Sequence, residues 1–264
     1  MLQTVSDPSA LSTLNAVILG VVEGVTEFLP VSSTAHLILA ARVLRLEQTE
    51  YLKSFEVIIQ FGAILSVVVL YWKKFWHWEV LKKLVVAFLP TGVLGLTLYK
   101  VIKSYLLGNM TVVLTTLFVG GIALIIFERW QRPNQEEIDF SEITYKRALL
   151  IGLFQSIAMV PGVSRSAATI VGGSLIGISK RTIVEFSFML AVPTMLAASG
   201  LELLKNHSAL GTGAVALAIG FVISFVTAIV AIKSFLAYLK RRDFSAFGWY
   251  RIVLAVAFYF AFVR

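Results

Sequence analysis

Ten apolar stretches run through the 264 residues, at 14–29, 35–44, 55–72, 84–99, 111–127, 148–160, 167–178, 183–199, 214–232 and 249–263. A full bilayer crossing takes roughly 17–25 residues. The third, fourth, fifth, eighth, ninth and tenth are near that length. Hydrocarbon offers no partner to a backbone N–H or C=O, so stretches of this kind span as helices. Composition points the same way: 58% of residues are apolar, 14% are charged and mean hydropathy is +0.86. An ordinary soluble domain carries about 25% charged residues, so a cytosolic enzyme and a disordered chain are excluded. The chain has no cysteine, which removes disulfides, a thiol nucleophile and zinc–thiolate sites. The predicted fold class is an all-α polytopic integral membrane protein, a single membrane domain over 1–264.

The remaining four stretches come as two adjacent pairs. Each pair has short members joined by a polar bend that carries a proline: Leu29-Pro30-Val31-Ser32-Ser33-Thr34, and Val160-Pro161-Gly162-Val163-Ser164-Arg165-Ser166. Such a bend cannot face lipid with its backbone unsatisfied. It fits a re-entrant helical hairpin that turns back inside protein; two short spanning helices are the alternative. The expected architecture is therefore six full transmembrane helices and two re-entrant hairpins.

The chain also repeats itself. Gly20 and Gly152 lie 132 residues apart, Glu23 matches Gln155, Pro30 matches Pro161, and Ser33 falls beside Ser164 and Ser166. Phe55 follows Pro30 by 25 residues, as Phe186 follows Pro161. The repeats are about 1–132 and 133–264. The segments 73–83, 128–147, 179–182 and 233–248 hold fourteen Lys and Arg, among them Arg132 and the run Lys240-Arg241-Arg242; the opposite set holds seven. Cytoplasmic loops carry the excess of positive charge, so the net charge of +8 reads as loops facing an anionic leaflet, with no nucleic-acid partner. One alternating topology satisfies the rule, with both termini outside. The first hairpin then enters from outside and the second from the cytoplasm. The halves are inverted, and a site is expected where their broken segments meet. The first Lys or Arg is Arg42, so no signal-peptide basic region is visible and the membrane segments are expected to direct insertion. Trp72, Trp76 and Trp78 read as an interfacial belt, and Gly120-Gly121 and Gly172-Gly173 as close helix packing.

Charge within hydrocarbon costs several kcal/mol and usually marks function. Glu23, Glu27 and His36 sit in the first hairpin and Arg165 in the second. Glu23 and Glu27 are one helical turn apart on one face, where like charges repel. A shared proton, a cation or a metal with oxygen ligands would compensate. Ser33 and His36, three apart after a proline, share a face at a helix start. They suit a nucleophile and its base, or plain capping by Ser32 or Ser33 with His36 as a polar contact. Free N–H groups at such a start favour an anion.

The second bend has the same physics with a cation. Arg165 presents a planar fork suited to phosphate; its other reading is an ion pair with Glu23 or Glu27. Ser164, Ser166 and Thr169, with Ser32 and Thr34 of the first bend, supply hydroxyls for phosphate oxygens. Glu56, Gln60, Gln155 and Glu185 read either as supporting groups or as interhelical hydrogen bonds. A secondary transporter or lipid flippase is the rival function, because inverted repeats with buried carboxylates suit it too.

Two motifs stand together: Glu23-Gly24-Val25-Thr26-Glu27-Phe28-Leu29-Pro30-Val31-Ser32-Ser33-Thr34-Ala35-His36, and Pro161-Gly162-Val163-Ser164-Arg165-Ser166-Ala167-Ala168-Thr169. On these the chain resembles, over essentially its whole length, the bacitracin-resistance family of undecaprenyl-diphosphate phosphatases. Ala35 stands where many members carry glycine. The lysine, arginine-proline and histidine signature of the acid-phosphatase-type lipid phosphatases is missing. The resemblance implies hydrolysis of undecaprenyl diphosphate to the monophosphate carrier and inorganic phosphate, which recycles the carrier for peptidoglycan and other envelope polymers and confers bacitracin resistance. It implies a divalent cation, Mg2+ or Ca2+, expected on Glu23 and Glu27, and functional roles for Glu23, Glu27, Ser33, His36 and Arg165. The expected partners are a polyprenyl diphosphate and membrane lipids, with room for a homodimer. The expected location is the bacterial inner membrane, with the pocket open to the periplasmic or outer face. Attack on phosphorus by Ser33 and attack by an activated water both remain open.

Overall fold

The computed structural model describes residues 11–106, 109–130, 140–205 and 213–263. The half boundary at 132/133, Arg132 and both chain ends lie outside the described residues. Among the described residues ten α-helices follow one another: α1 (Thr13–Thr26), α2 (Ser33–Val43), α3 (Glu50–Phe75), α4 (Trp78–Val101), α5 (Met110–Trp130), α6 (Tyr145–Ser156), α7 (Arg165–Leu175), α8 (Lys180–Lys205), α9 (Ala214–Leu239) and α10 (Ser245–Phe262). Six of them, α3, α4, α5, α8, α9 and α10, are long and apolar enough to cross a membrane. They are the six stretches the sequence marks as crossings.

The other four are short. At 1.5 Å per residue the 14 residues of α1 reach about 21 Å and the 11 of α2 or α7 about 16 Å. The hydrocarbon core is about 30 Å thick. Helix α1 stops at Thr26, although its apolar stretch runs to Leu29, and α6 gives way to a 3-10 turn at Ile157–Met159. A proline disfavours helical backbone in the residue before it. Pro30 and Pro161 thus end helices that hydrophobicity alone would continue, and Val160 is extended (φ −77°, ψ 119°).

Helix α3 packs on α8 at the centre. Helix α1 lies along α9, α6 along α4, and α5 along α10. Phe186, Phe188 and Phe244 are fully buried and Phe235 is buried beside them. Trp72, Trp76 and Trp78 are exposed, as an interfacial belt requires. The α5–α10 crossing is close because two glycines meet there. A β-carbon on Gly121 would stand 2.6 Å from the Gly248 carbonyl, and one on Gly248 2.7 Å from that of Gly121. This crossing carries Tyr250 and Arg251 up to the two bends.

Candidate active site

Both bends end in a serine that caps the next helix. Ser32 Oγ accepts from Ala35 N at 3.4 Å, and Ser164 Oγ accepts from Ala167 N at 3.2 Å. Such capping satisfies one of the orphan N–H groups of a helix start. Both serines have positive φ, 73° and 78°, a conformation that costs of order 1–3 kcal/mol in a residue with a side chain. In the second bend Gly162 takes φ +91°. A β-carbon there would also collide with Thr116 of α5, whose hydroxyl donates to the Pro161 carbonyl at 2.6 Å.

The bends touch. Ser166 Oγ donates to Leu29 O at 2.7 Å, and Arg165 Nη2 lies 3.3 Å from Glu27 Oε1. Arg165 Nη1 donates to the Ser187 carbonyl of α8 at 2.7 Å, which fixes the fork. Glu27 receives the Ser33 hydroxyl on its other oxygen. Glu27, Ser33 and Arg165 thus form one contact set built from both halves of the chain. Ser164 Oγ lies 3.0 Å from Ser166 Oγ, the hydroxyl that reaches Leu29.

The shared face that the sequence suggests for Ser33 and His36 does not become a hydrogen bond. His36 Nδ1 lies 2.8 Å from the Ser32 carbonyl and Nε2 lies 2.8 Å from the Tyr250 hydroxyl. A carbonyl only accepts, so Nδ1 carries the proton and Nε2 accepts from Tyr250. The two rings also stack, 5.5 Å apart and 9° from parallel.

Glu23 is fully buried one turn behind Glu27, and neither of its carboxylate oxygens accepts a hydrogen bond. Glu56 of α3 is within electrostatic reach of it, and Glu56 Oε1 likewise has no partner. Orphaned carboxylate oxygens are the donor set of a hard divalent cation. Among the described residues no group of three or more metal-capable side chains is assembled. Glu23 and Glu27 are thus the residues that would hold such a cation, and it would supply positive charge to offset their carboxylates.

A cavity of about 630 Å3 opens in front of this set. Glu27, Ser32, Ser33, Thr34, Ser164 and Arg165 line its polar end. Phe88, Leu89, Val93 and Leu96 of α4 and Met195 of α8 line its apolar wall. Both wall helices carry an internal proline at the level of the cavity, Pro90 and Pro193. Glu23, His36, Ser166 and Thr169 are not among the lining residues, and Thr169 bonds the Arg165 carbonyl within α7 at 2.8 Å. Gln155 donates to Thr91 at 3.0 Å and to Thr194 at 3.2 Å, while Ser199 donates to Gln60 at 3.1 Å. Glu185 pairs with Lys74 and with Arg181, away from the cavity.

The family profile described as "Bacitracin resistance protein BacA" matches residues 16–257. The chain belongs to the BacA family. A relative named undecaprenyl-diphosphatase from Sulfurihydrogenibium sp. (strain YO3AOP1) is 50% identical over 251 residues, 94% of this chain and 99% of that protein. One of the same name from Aquifex aeolicus (strain VF5) is 46% identical over 245 residues, 92% and 96% of the two chains. One from Persephonella marina (strain DSM 14350 / EX-H1) is 49% identical over 251 residues, 94% and 98%. The six apolar helices together with BacA membership make this a multi-pass membrane protein. The transporter alternative finds no support in these names.

Tyr250 and Arg251 reach the two bends from α10, through His36 and through backbone carbonyls, and neither is legible from motif spacing. The one signal available is a guanidinium within the tenth apolar stretch, the same signal that marks Arg165.

Proposed function

We propose that the chain hydrolyses undecaprenyl diphosphate to undecaprenyl phosphate and inorganic phosphate, and so returns the lipid carrier to envelope polymer synthesis. One observation carries this reading at the level of chemistry: Glu27, Ser33 and Arg165, drawn from two separate bends, meet at the polar end of a cavity with apolar walls. A prenyl diphosphate has the matching shape, a charged head on an apolar chain.

The diphosphate enters against Arg165, whose fork spreads charge over the phosphate oxygens as it accumulates in the transition state. Hydroxyls of Ser32, Thr34 and Ser164 and the free N–H groups at the starts of α2 and α7 complete the cradle. Ser33 Oγ attacks the terminal phosphorus and passes its proton to Glu27, which already accepts from it. The bond to the bridging oxygen breaks and the prenyl monophosphate leaves with the proton that Glu27 took from Ser33. Water then attacks the phosphoserine with Glu27, ionised again, taking its proton; phosphate leaves and that proton returns to Ser33 Oγ. His36 holds the Ser32 carbonyl, and hence the bend, in place. A divalent cation on Glu23 and Glu27 would neutralise diphosphate charge when bound.

We further infer that the two short-helix pairs re-enter and that the halves are inverted. The helix lengths support re-entrance, and the α1–α9 and α6–α4 pairings support the repeat. The cavity is lined by the later halves of α4 and α8, which run away from the basic segments 73–83 and 179–182. That supports an inner-membrane protein with an outward-facing pocket and both termini outside.

Purified protein in detergent should release phosphate from a prenyl diphosphate with no gradient present. Glu27→Gln should abolish release. A wild-type protein that binds the lipid and releases no phosphate overturns the reading. Thr34→Cys in this cysteine-free chain should react with an impermeant thiol reagent from the outer face; labelling from the cytoplasmic side alone reverses the orientation.

A further inference from the structure

We propose that Arg251 of α10 is a positioning residue for this site, and that it acts by pinning both bends at once from behind. The inference rests on the phosphatase reading above.

The guanidinium is fully buried and bonded only to backbone carbonyls. Nη1 donates to Pro30 O at 3.2 Å and to Val163 O at 3.0 Å. Nη2 donates to Gly162 O at 2.9 Å and to Thr116 O at 3.1 Å, and Nε to Leu117 O at 3.3 Å. These five bonds use the five donors of an arginine. One acceptor belongs to the first bend, two to the second and two to α5. The charge is thus solvated by carbonyl dipoles and has no carboxylate among its bonded partners. Gly120 leaves the room, since a β-carbon there would run into the guanidinium.

Arg251 does not line the cavity. Its bonds hold the backbone carbonyls of Pro30, Gly162 and Val163, while Ser32, Ser33, Ser164 and Arg165 next to them in the chain line the cavity. The relative placement of Glu27 with Ser33, on one bend, and of Arg165, on the other, therefore depends on a group that never touches substrate. Lysine has the charge but not the planar fork, and its three donors cannot reach five acceptors. A displacement of the order of 1 Å between reacting groups costs about 100-fold in rate.

The test is Arg251→Lys in the full-length protein, with kcat and KM for a prenyl diphosphate normalised to the folded fraction from a thermal melt. The expected result is a folded protein whose kcat falls about 100-fold while KM moves by less than about threefold. Wild-type kcat overturns the proposal. So does a loss that vanishes on normalisation, because the role would then be stability alone. Should Arg251→Lys fail to fold, Gly120→Ala decides. It keeps the arginine but puts a β-carbon 2.1 Å from Arg251 Nη2 and so displaces the fork; it is expected to lower kcat by about three- to tenfold, and an unchanged kcat in the folded variant overturns the proposal. A wild-type protein with no phosphate release would instead sink the phosphatase reading.

Discussion

Arg165 Nη2 stands 3.3 Å from Glu27 Oε1, across 138 residues of chain. Both partners are largely buried, with side chains 12% and 6% exposed. The contact is therefore more than a surface pair. In the proposed reaction a substrate phosphate competes with Glu27 for this guanidinium.

Replacing Arg165 by Gln should leave the Glu27 carboxylate buried beside Glu23 without its cation. Stability should fall by about 3–5 kcal/mol, and kcat at a permissive temperature by about 10^3-fold or more. A thermal melt and a phosphate-release assay read the two effects separately.

Ser33→Ala removes the hydroxyl that donates to Glu27 while leaving substrate contacts from Ser32 and Ser164 in place. Turnover should be lost with the lipid still bound. Acid quench of the wild type during turnover should trap phosphoserine at Ser33. Near-full activity in the alanine variant would transfer the attack to water.

Chelation should abolish phosphate release, and Mg2+ or Ca2+ should restore it. In Glu23→Gln the cation concentration needed for half activation should rise about 10- to 100-fold. An unchanged activation curve would mean that the orphaned oxygens of Glu23 serve something other than a cation.

Tyr250→Phe keeps the ring stacked on His36 but removes the donor to Nε2. A single neutral hydrogen bond is worth about 0.5–1.5 kcal/mol, so kcat should drop roughly three- to tenfold. Nitrogen NMR of labelled His36 should show its ring losing the fixed Nδ1–H form. Identical spectra and rates in the two proteins would remove Tyr250 from the site.

Gly162→Ala should destabilise the fold by about 1–3 kcal/mol. The residue sits at φ +91°, and the added carbon has nowhere to go beside Thr116. A melting curve checks this.

The six crossings were legible because length and hydropathy are properties of contiguous sequence. The bends were legible because proline and serine interrupt apolar runs, and Arg165 because guanidinium in hydrocarbon needs a reason. Partners were harder. Spacing puts Ser33 and His36 on one helical face, yet the Ser33 hydroxyl turns back across the bend to Glu27, six residues earlier. Helical periodicity does not extend through a turn whose capping serine has positive φ. Gln155 and Glu23 match in sequence, but one is satisfied by Thr91 and Thr194 while the other has no donor. That difference comes from which helix faces each, and no local pattern encodes it. Arg251 depends on three distant segments converging, which only the assembled bundle reveals.

One guanidinium on the tenth helix thus joins two proline bends that lie 131 positions apart in the sequence. Cutting the chain between α5 and α6 would leave Arg251 and Arg165 on one fragment and their partners, the Pro30 carbonyl and Glu27, on the other.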